Sequence, residues 1–260
     1  MSKKEKEAPK KHKPVKTVLI SQPKPSHSPY FDLEEKYDIK IDFRPFIHVE
    51  GVPTKEFRKT RIKPDEYTAI IMTSRNAIDH FFRICEEMRI KMPGDTKYFC
   101  NSAATANYLQ KFITYRKRKV FVGQRKISDI KDAFLKHKDK EKFLFPISNL
   151  GSKSNVEFLN SIGIEFTEAM MYCTVSSDLS DLKNITYDVL VFFSPLGIQS
   201  LYDNFPEFDQ KETRLAVYGK LTTKAVEEKG LRIDIPAPAP QVPSMTMALE
   251  NYLKKSNLDS

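Results

Sequence analysis

The chain has 260 residues, with 43 Lys and Arg against 34 Asp and Glu, a net charge of +9 and 40% hydrophobic residues. That length suits two modest domains or one large one, and the apolar fraction supplies ordinary cores. No apolar run approaches the ~20 residues of a membrane helix, Cys85, Cys100 and Cys173 form an odd set without metal-like spacing, and the histidines are scattered, which argues against a membrane span, a disulfide framework and a zinc site.

Taken in chain order, residues 1–15 are charged, lack the apolar core of a signal peptide and read as a disordered basic leader. A short strand is expected over 17–20, ending at Ser21-Gln22-Pro23, then a helix over 29–37 and one long extended segment over 40–49. Residues 69–73 form a buried strand. The helix over 76–88 carries Ile78, Phe81, Phe82 and Cys85 on one face. Strand and helix then alternate: strand 97–100, helix 103–112, strand 119–122, helix 128–137 capped by Ser128, strand 142–146, helix 155–162 ending at Gly163, and a long strand over 165–174. The alternation restarts with strand 189–193, helix 197–204, strand 215–218, helix 222–229 stopped by Gly230, strand 233–235 and a last helix over 244–255.

Strands alternating with helices imply α/β architecture, with parallel sheets covered on both faces. In such sheets ligands bind beyond the carboxyl ends of the strands, where loops enter helices. The sequence repeats this device. YTAIIMTSRNAIDHFF starts at Tyr67 and YDVLVFFSPLGIQSLY at Tyr187, 120 residues on. TKYFCNSAATANYL starts at Thr96 and TRLAVYGKLTTKAV at Thr213, 117 residues on. Two related units therefore each present two strand-to-helix turns.

The turns carry the candidate binding residues: Thr73, Ser74, Arg75 and Asn76; Ser102 and Thr105; Ser194 and Gly197; Gly219, Lys220, Thr222 and Thr223. Helix N-termini offer free N–H groups and partial positive charge, which suits a carboxylate or phosphate. Helix capping explains each Ser or Thr taken singly, and recurrence in both halves adds the ligand reading. Arg75 can pair with a carboxylate or make a surface salt bridge. No GxSxG, GxGxxG or GxxxxGK[ST] motif occurs, so neither a serine hydrolase nor a nucleotide site has motif support. Tyr172, in AMMYCTV, is ordinary strand packing or a proton donor, since a phenol stays protonated at neutral pH. The basic run at 115–119 reads as solvated surface, and no nucleic-acid signature accompanies it.

At these residues the chain resembles the uroporphyrinogen-III synthase family. The likeness spans about 16–254 and rests on an ordered series: the first strand and its turn at 18–23, PFIHV at 45–49, TSRNAI at 73–78, MYCT at 171–174, FFSPLGI at 192–198, YGKLTTKAVEEKGLRIDIPAPAP from Tyr218, and PSMTMALENYL. The resemblance implies two flavodoxin-like lobes joined by a two-stranded connection, the second lobe inserted into the first. Residues 16–44 with 175–260 would form lobe 1 and 45–174 lobe 2, with connecting strands about 43–49 and 170–175. It implies an active site in the cleft between the lobes. The substrate would be hydroxymethylbilane, a linear tetrapyrrole with eight carboxylates, cyclised with loss of water and inversion of the last pyrrole. No cofactor or metal is implied. Tyr172 would protonate the departing hydroxyl, and the turns would hold carboxylates. The chain departs from the family pattern at Ser21-Gln22-Pro23, where an Arg is common, at Lys220 in place of Pro, at Ser102 in place of Gly and at Cys173 in place of Arg.

The resulting expectation is a cytoplasmic, monomeric enzyme acting on a small molecule, with no nucleic-acid or membrane partner. The alternative is a non-catalytic two-lobed binding protein for an anionic tetrapyrrole or other polyanion.

Overall fold

The computed structural model describes residues 13–257, so most of the basic leader lies outside the described residues. In chain order the elements are β1 (Thr17–Ile20), α1 (Pro29–Tyr37), β2 (Lys40–Phe43), β3 (Ile47–Gly51), α2 (Thr54–Lys59), β4 (Ala69–Met72), α3 (Arg75–Met88), β5 (Lys97–Cys100), α4 (Ala103–Leu109) and β6 (Val120–Val122). There follow α5 (Lys131–His137), β7 (Phe143–Ser148), α6 (Lys153–Ser161), β8 (Phe166–Ser176), β9 (Val189–Phe192), α7 (Pro195–Asn204), β10 (Arg214–Tyr218), α8 (Lys220–Glu228), β11 (Ile235–Ala237) and α9 (Met245–Asn257).

The chain forms two compact units. One is built from the described parts of Met1–His48 and Val175–Ser260, the other from Val49–Thr174, which interrupts it. The boundaries fall within β3 and β8. The first unit contains a sheet of order β2-β1-β9-β10-β11, and every pairing in it is parallel. The second has the order β8-β7-β4-β5-β6, again parallel throughout, with β3 added beside β8.

Each sheet is buried on both faces, as the apolar runs require. In the first unit Val18, Ile20, Val189 and Val191 pack with Leu33 of α1 and Leu249 and Leu253 of α9. Leu19, Leu190, Phe192 and Val217 face the other way, against Ile198 and Leu201 of α7 and Val226 of α8. In the second unit Ile70, Met72, Tyr98 and Leu144 meet Ile78, Phe81 and Ile84 of α3. Ala69, Ile71, Phe99, Phe143 and Phe145 meet Phe134 of α5 and Leu159 of α6. The period-two alternation of a strand thus feeds two cores at once.

Polar ties fix the ends. The backbone of Val15, itself buried, exchanges two hydrogen bonds with the Asn257 side chain, at 2.9 and 2.8 Å. Asp188 Oδ2 accepts from the N–H groups of Lys16 and Thr17 at 2.8 and 2.9 Å, joining the start of β1 to that of β9.

Four local expectations change. The single segment over 40–49 is two strands, because Pro45 supplies no ladder N–H and the chain breaks at 44–46. Ser128 does not cap a helix: a 3₁₀ turn over Ile127–Ile130 precedes α5, and Asp129 Oδ2 collects the N–H groups of Gln124, Arg125 and Lys126 at 2.9–3.1 Å. Those donors, that of Arg125 first, hold the Asp129 carboxyl below its ordinary range. The strand expected over 233–235 is Ile235–Ala237 instead, at the sheet edge where Pro236 is tolerated. Helix α2 is additional; Phe57 is its one buried residue, so TKEFRK shows no apolar periodicity.

Phe99 is the centre of an aromatic cluster, with ring centroids of Phe134, Phe121 and Phe143 at 4.5, 4.7 and 5.3 Å. Phe99→Ala is expected to lower stability by about 3–5 kcal/mol, and Phe99→Leu by much less, as read from urea unfolding followed by circular dichroism.

Candidate functional site

The two sheets share one spatial order, although the chain enters them at different strands. In the first unit it runs from β1 outward to β2, and from β9 outward the opposite way to β10 and β11. In the second it runs from β4 to β5 and β6, and from β7 the opposite way to β8. The order therefore reverses between β1 and β9, and between β7 and β4. At such a reversal the flanking loops diverge and open a crevice beyond the carboxyl ends of the strands. Ser194 follows β9 and Ser74 follows β4, so the sequence repeat falls on both reversals.

In the second unit the crevice residues touch one another. Ser74 has extended backbone and caps α3, its Oγ accepting from the Ala77 N–H at 3.0 Å. The same oxygen lies 3.3 Å from the Tyr172 hydroxyl. Tyr172 reaches it because the register between β7 and β8 slips: Ile147 opposes Met170, but Ser148 opposes Tyr172. The extra residue is Met171, whose carbonyl turns to accept from the Val52 N–H at 2.9 Å and from Arg83 Nη2 at 3.4 Å. Bulges of this kind re-aim side chains next to functional sites.

Besides Arg83, three more residues that the sequence reading did not single out hold this arrangement. The His80 ring stacks on that of Tyr172, with centroids 5.3 Å apart and planes 14° apart. Its Nδ1 accepts from Arg83 Nε at 3.3 Å, and burial, then the Arg83 charge, keeps its pKa below the ordinary histidine value, so His80 is neutral at neutral pH. Asn149 exchanges two hydrogen bonds with the Thr174 backbone at 3.1 and 2.8 Å, pinning the end of β8. Asn101 Nδ2 donates to the Thr73 carbonyl at 2.8 Å, binding the turn after β4 to the turn after β5. His80 is one turn along the helix from Asn76, so helical spacing was the available signal for it. The other two act through loop geometry, which leaves none.

The remaining candidates divide by exposure. Arg75 and Asn76 are exposed at the start of α3; the Arg75 guanidinium stands 5.4 Å from the Tyr108 ring centroid. Ser102 caps α4 through the Thr105 N–H at 3.3 Å. Thr105 is buried, and its hydroxyl donates to Asn101 Oδ1 at 2.7 Å, so its side chain supports Asn101.

In the first unit Ser194 caps α7 through the Gly197 N–H at 3.3 Å. Gly197 is buried, and a Cβ there would stand 3.2 Å from Phe192 Cδ1, so the turn packs closely at this point. Pro195 removes one first-turn donor from α7. Helix α8 differs: Gly219 stands at its N-cap with φ 87° and ψ 149°, and no side chain caps it. The N–H groups of its first turn are thus the least occupied by capping among the four turns. Lys220 is exposed beside them, Thr223 is half-buried and Thr222 is buried.

Burial pushes the thiols of Cys85 and Cys100 up to about 12, so neither is a thiolate nucleophile at neutral pH. Among the described residues no group of three or more His, Cys, Asp and Glu is placed to hold a metal ion, and no helix is long and apolar enough to cross a membrane.

Comparison with known proteins places the chain. The family model for "Uroporphyrinogen-III synthase HemD" matches residues 31–247. A uroporphyrinogen-III synthase of Chlorobaculum parvum is 22% identical over 255 residues, covering 92% of this chain and all of that protein. The crystal structure of the Helicobacter pylori uroporphyrinogen-III synthetase superposes with a TM-score of 0.56 at 16% identity, over 92% of this chain and 99% of that one. A mutant uroporphyrinogen III synthase from the extreme thermophile Thermus thermophilus gives 0.50 at 13% identity, over 93% and 98%. With most of its length matched by the family model, and two parallel α/β sheets like those of the solved structures, the chain belongs to the uroporphyrinogen-III synthase family.

Proposed function

We propose that the chain is a uroporphyrinogen-III synthase in activity as well as family. It converts hydroxymethylbilane to uroporphyrinogen III, with loss of the terminal hydroxyl as water and inversion of the last pyrrole. The observation that carries this reading is the Tyr172–Ser74 pair, 3.3 Å apart at the strand-order reversal of the second unit.

The chemistry asks for one proton at the right place. The carbon–oxygen bond to the terminal hydroxyl breaks as that oxygen takes a proton, leaving an electrophilic azafulvene that the last pyrrole attacks. Tyr172 donates this proton. Ser74 Oγ already accepts from a backbone N–H, so its own O–H is left to donate to the phenol oxygen as negative charge grows there. Neutral His80, stacked on the phenol, holds the ring without adding a competing acid.

The substrate's carboxylates are assigned to the turns. In the second unit we place them on Thr73, Ser74, Arg75, Asn76 and Ser102. In the first unit they fall on Ser194, the open start of α8 at Gly219, the Lys220 ammonium and Thr223. Thr105, Gly197 and Thr222, buried as they are, shape these turns from behind. Binding then supplies positioning, and positioning decides which closure an already reactive azafulvene follows. On this reading the protein is a cytoplasmic monomer acting on a small molecule without a cofactor or a nucleic-acid or membrane partner.

The test is a coupled assay with freshly made hydroxymethylbilane, the product isomer being read by chromatography. Wild type is expected to give mainly the type III isomer. Tyr172→Phe should slow its formation by about 10²–10⁴-fold, the usual worth of a general acid. Well-folded wild type that leaves only the spontaneous type I isomer would overturn the catalytic reading in favour of a binding protein. A second check concerns the turn before α8. A Cβ at Gly219 meets nothing within 4 Å, so any cost of Gly219→Ala comes from its backbone conformation. That substitution is expected to lower stability by about 1–3 kcal/mol in chemical denaturation.

A further inference from the structure

The second unit contains a hollow of about 490 Å³ that takes no part in the site above. It lies at the opposite end of the strands: Thr96 immediately precedes β5, Lys119 immediately precedes β6, and Phe82 and Cys85 come from the second half of α3. Ser74, just past β4, and Tyr172, paired with Ser148 at the end of β7, sit at the other, carboxyl end of this sheet. The volume is within the range of about 300–1,000 Å³ that holds small organic ligands.

Its walls and rim differ in character. Phe82 and Phe112 form an aromatic wall, with ring centroids 4.7 Å apart and planes 8° apart, continued by Met92 and Ile113. Phe112 is 39% exposed although it belongs to this wall, so the apolar surface is open to an incoming molecule. The rim carries Lys91, Arg116 and Lys119 against the single carboxylate of Glu86. Among the described residues none of these three cations forms an ion pair, and Lys119 Nζ donates to the Gly94 carbonyl. Two of the three belong to the basic run at 115–119. Inside, Thr96 is 3% exposed, and its Oγ1 has no hydrogen-bond partner. A buried hydroxyl left unpaired opposes folding, and valine would fill the same space without that penalty.

From these features we infer that this hollow is a second ligand site, for a planar aromatic organic anion. The ring system packs on Phe82 and Phe112, a polar edge bonds to the Thr96 hydroxyl, and a carboxylate or sulfonate meets Lys91, Arg116 and Lys119. The site is separate from the cyclisation chemistry and stands whether or not that chemistry is correctly assigned.

The test titrates the full chain with the fluorescent anion 8-anilinonaphthalene-1-sulfonate and its uncharged analogue N-phenyl-1-naphthylamine, with backbone amide shifts followed by NMR. One saturable site is expected, with the largest shifts at Thr96, Phe112 and Val120. The double variant Arg116→Glu with Lys119→Glu, on an accessible rim, should weaken the sulfonate by at least about tenfold and the neutral analogue by less than about twofold. Thr96→Val should weaken the sulfonate by about fivefold while melting no lower than wild type. Sulfonate affinity unchanged in the charge-reversed variant would overturn the proposal. So would wild-type binding by Thr96→Val, or shifts confined to the 770 Å³ hollow of the first unit beside Leu190 and Phe208.

Discussion

Burial of both faces of each parallel sheet is the constraint from which the rest of this protein follows. Helices cover the two faces, so no polar chemistry can be placed on them. What remains open is the row of turns where strands hand over to helices. There the backbone supplies N–H groups, and small polar side chains cap helices. A reversal of strand order spreads two of these turns apart, and each unit contains one such reversal. A ligand with many carboxylates suits this kind of surface, because each capped turn can present donors without a buried charge to compensate.

Within that frame the second unit has an asymmetry with chemical consequences. Its sheet slips register beside the reversal, and the slip brings Tyr172 to Ser74. The Met171 carbonyl that the bulge turns out is taken up by Val52 and Arg83, and Arg83 also orients His80 beneath the phenol. One guanidinium therefore steadies both the backbone that aims Tyr172 and the ring that packs on it. In the first unit Ser194 and Pro195 follow β9, and β2, which takes the place of β8, reads KIDF with no tyrosine. The two units have the same strand order in separate sheets and differ at this turn.

Much of this was legible in the sequence. The two Tyr-to-helix repeats mark β4 with α3 and β9 with α7, because a doubly buried strand reads as an unbroken apolar run. Ser74, Ser102 and Ser194 are caps in the structure, as their positions before amphipathic runs suggested. Other features were not legible, for identifiable reasons. A bulge leaves no composition signal, so the sequence could name Tyr172 but not its contact with Ser74. Asn101 and Asn149 act through hydrogen bonds to residues 28 and 25 positions away, a distance that local pattern does not encode. Thr105, Gly197 and Thr222 are buried, which their place in the repeated turns does not reveal. Asp129 displaced Ser128 because a carboxylate accepting three N–H groups outcompetes a single hydroxyl cap.

The central claim is that Ser74 acts through the phenol of Tyr172, and a double-mutant cycle tests it most directly. kcat/KM for formation of the type III isomer would be measured for wild type, Ser74→Ala, Tyr172→Phe and the double variant, each checked for folding. If the two hydroxyls work as one device, the double variant loses little beyond Tyr172→Phe alone, and the coupling is at least about 1 kcal/mol. Losses that simply multiply would mean that the two residues act independently, and the account of the site would be wrong.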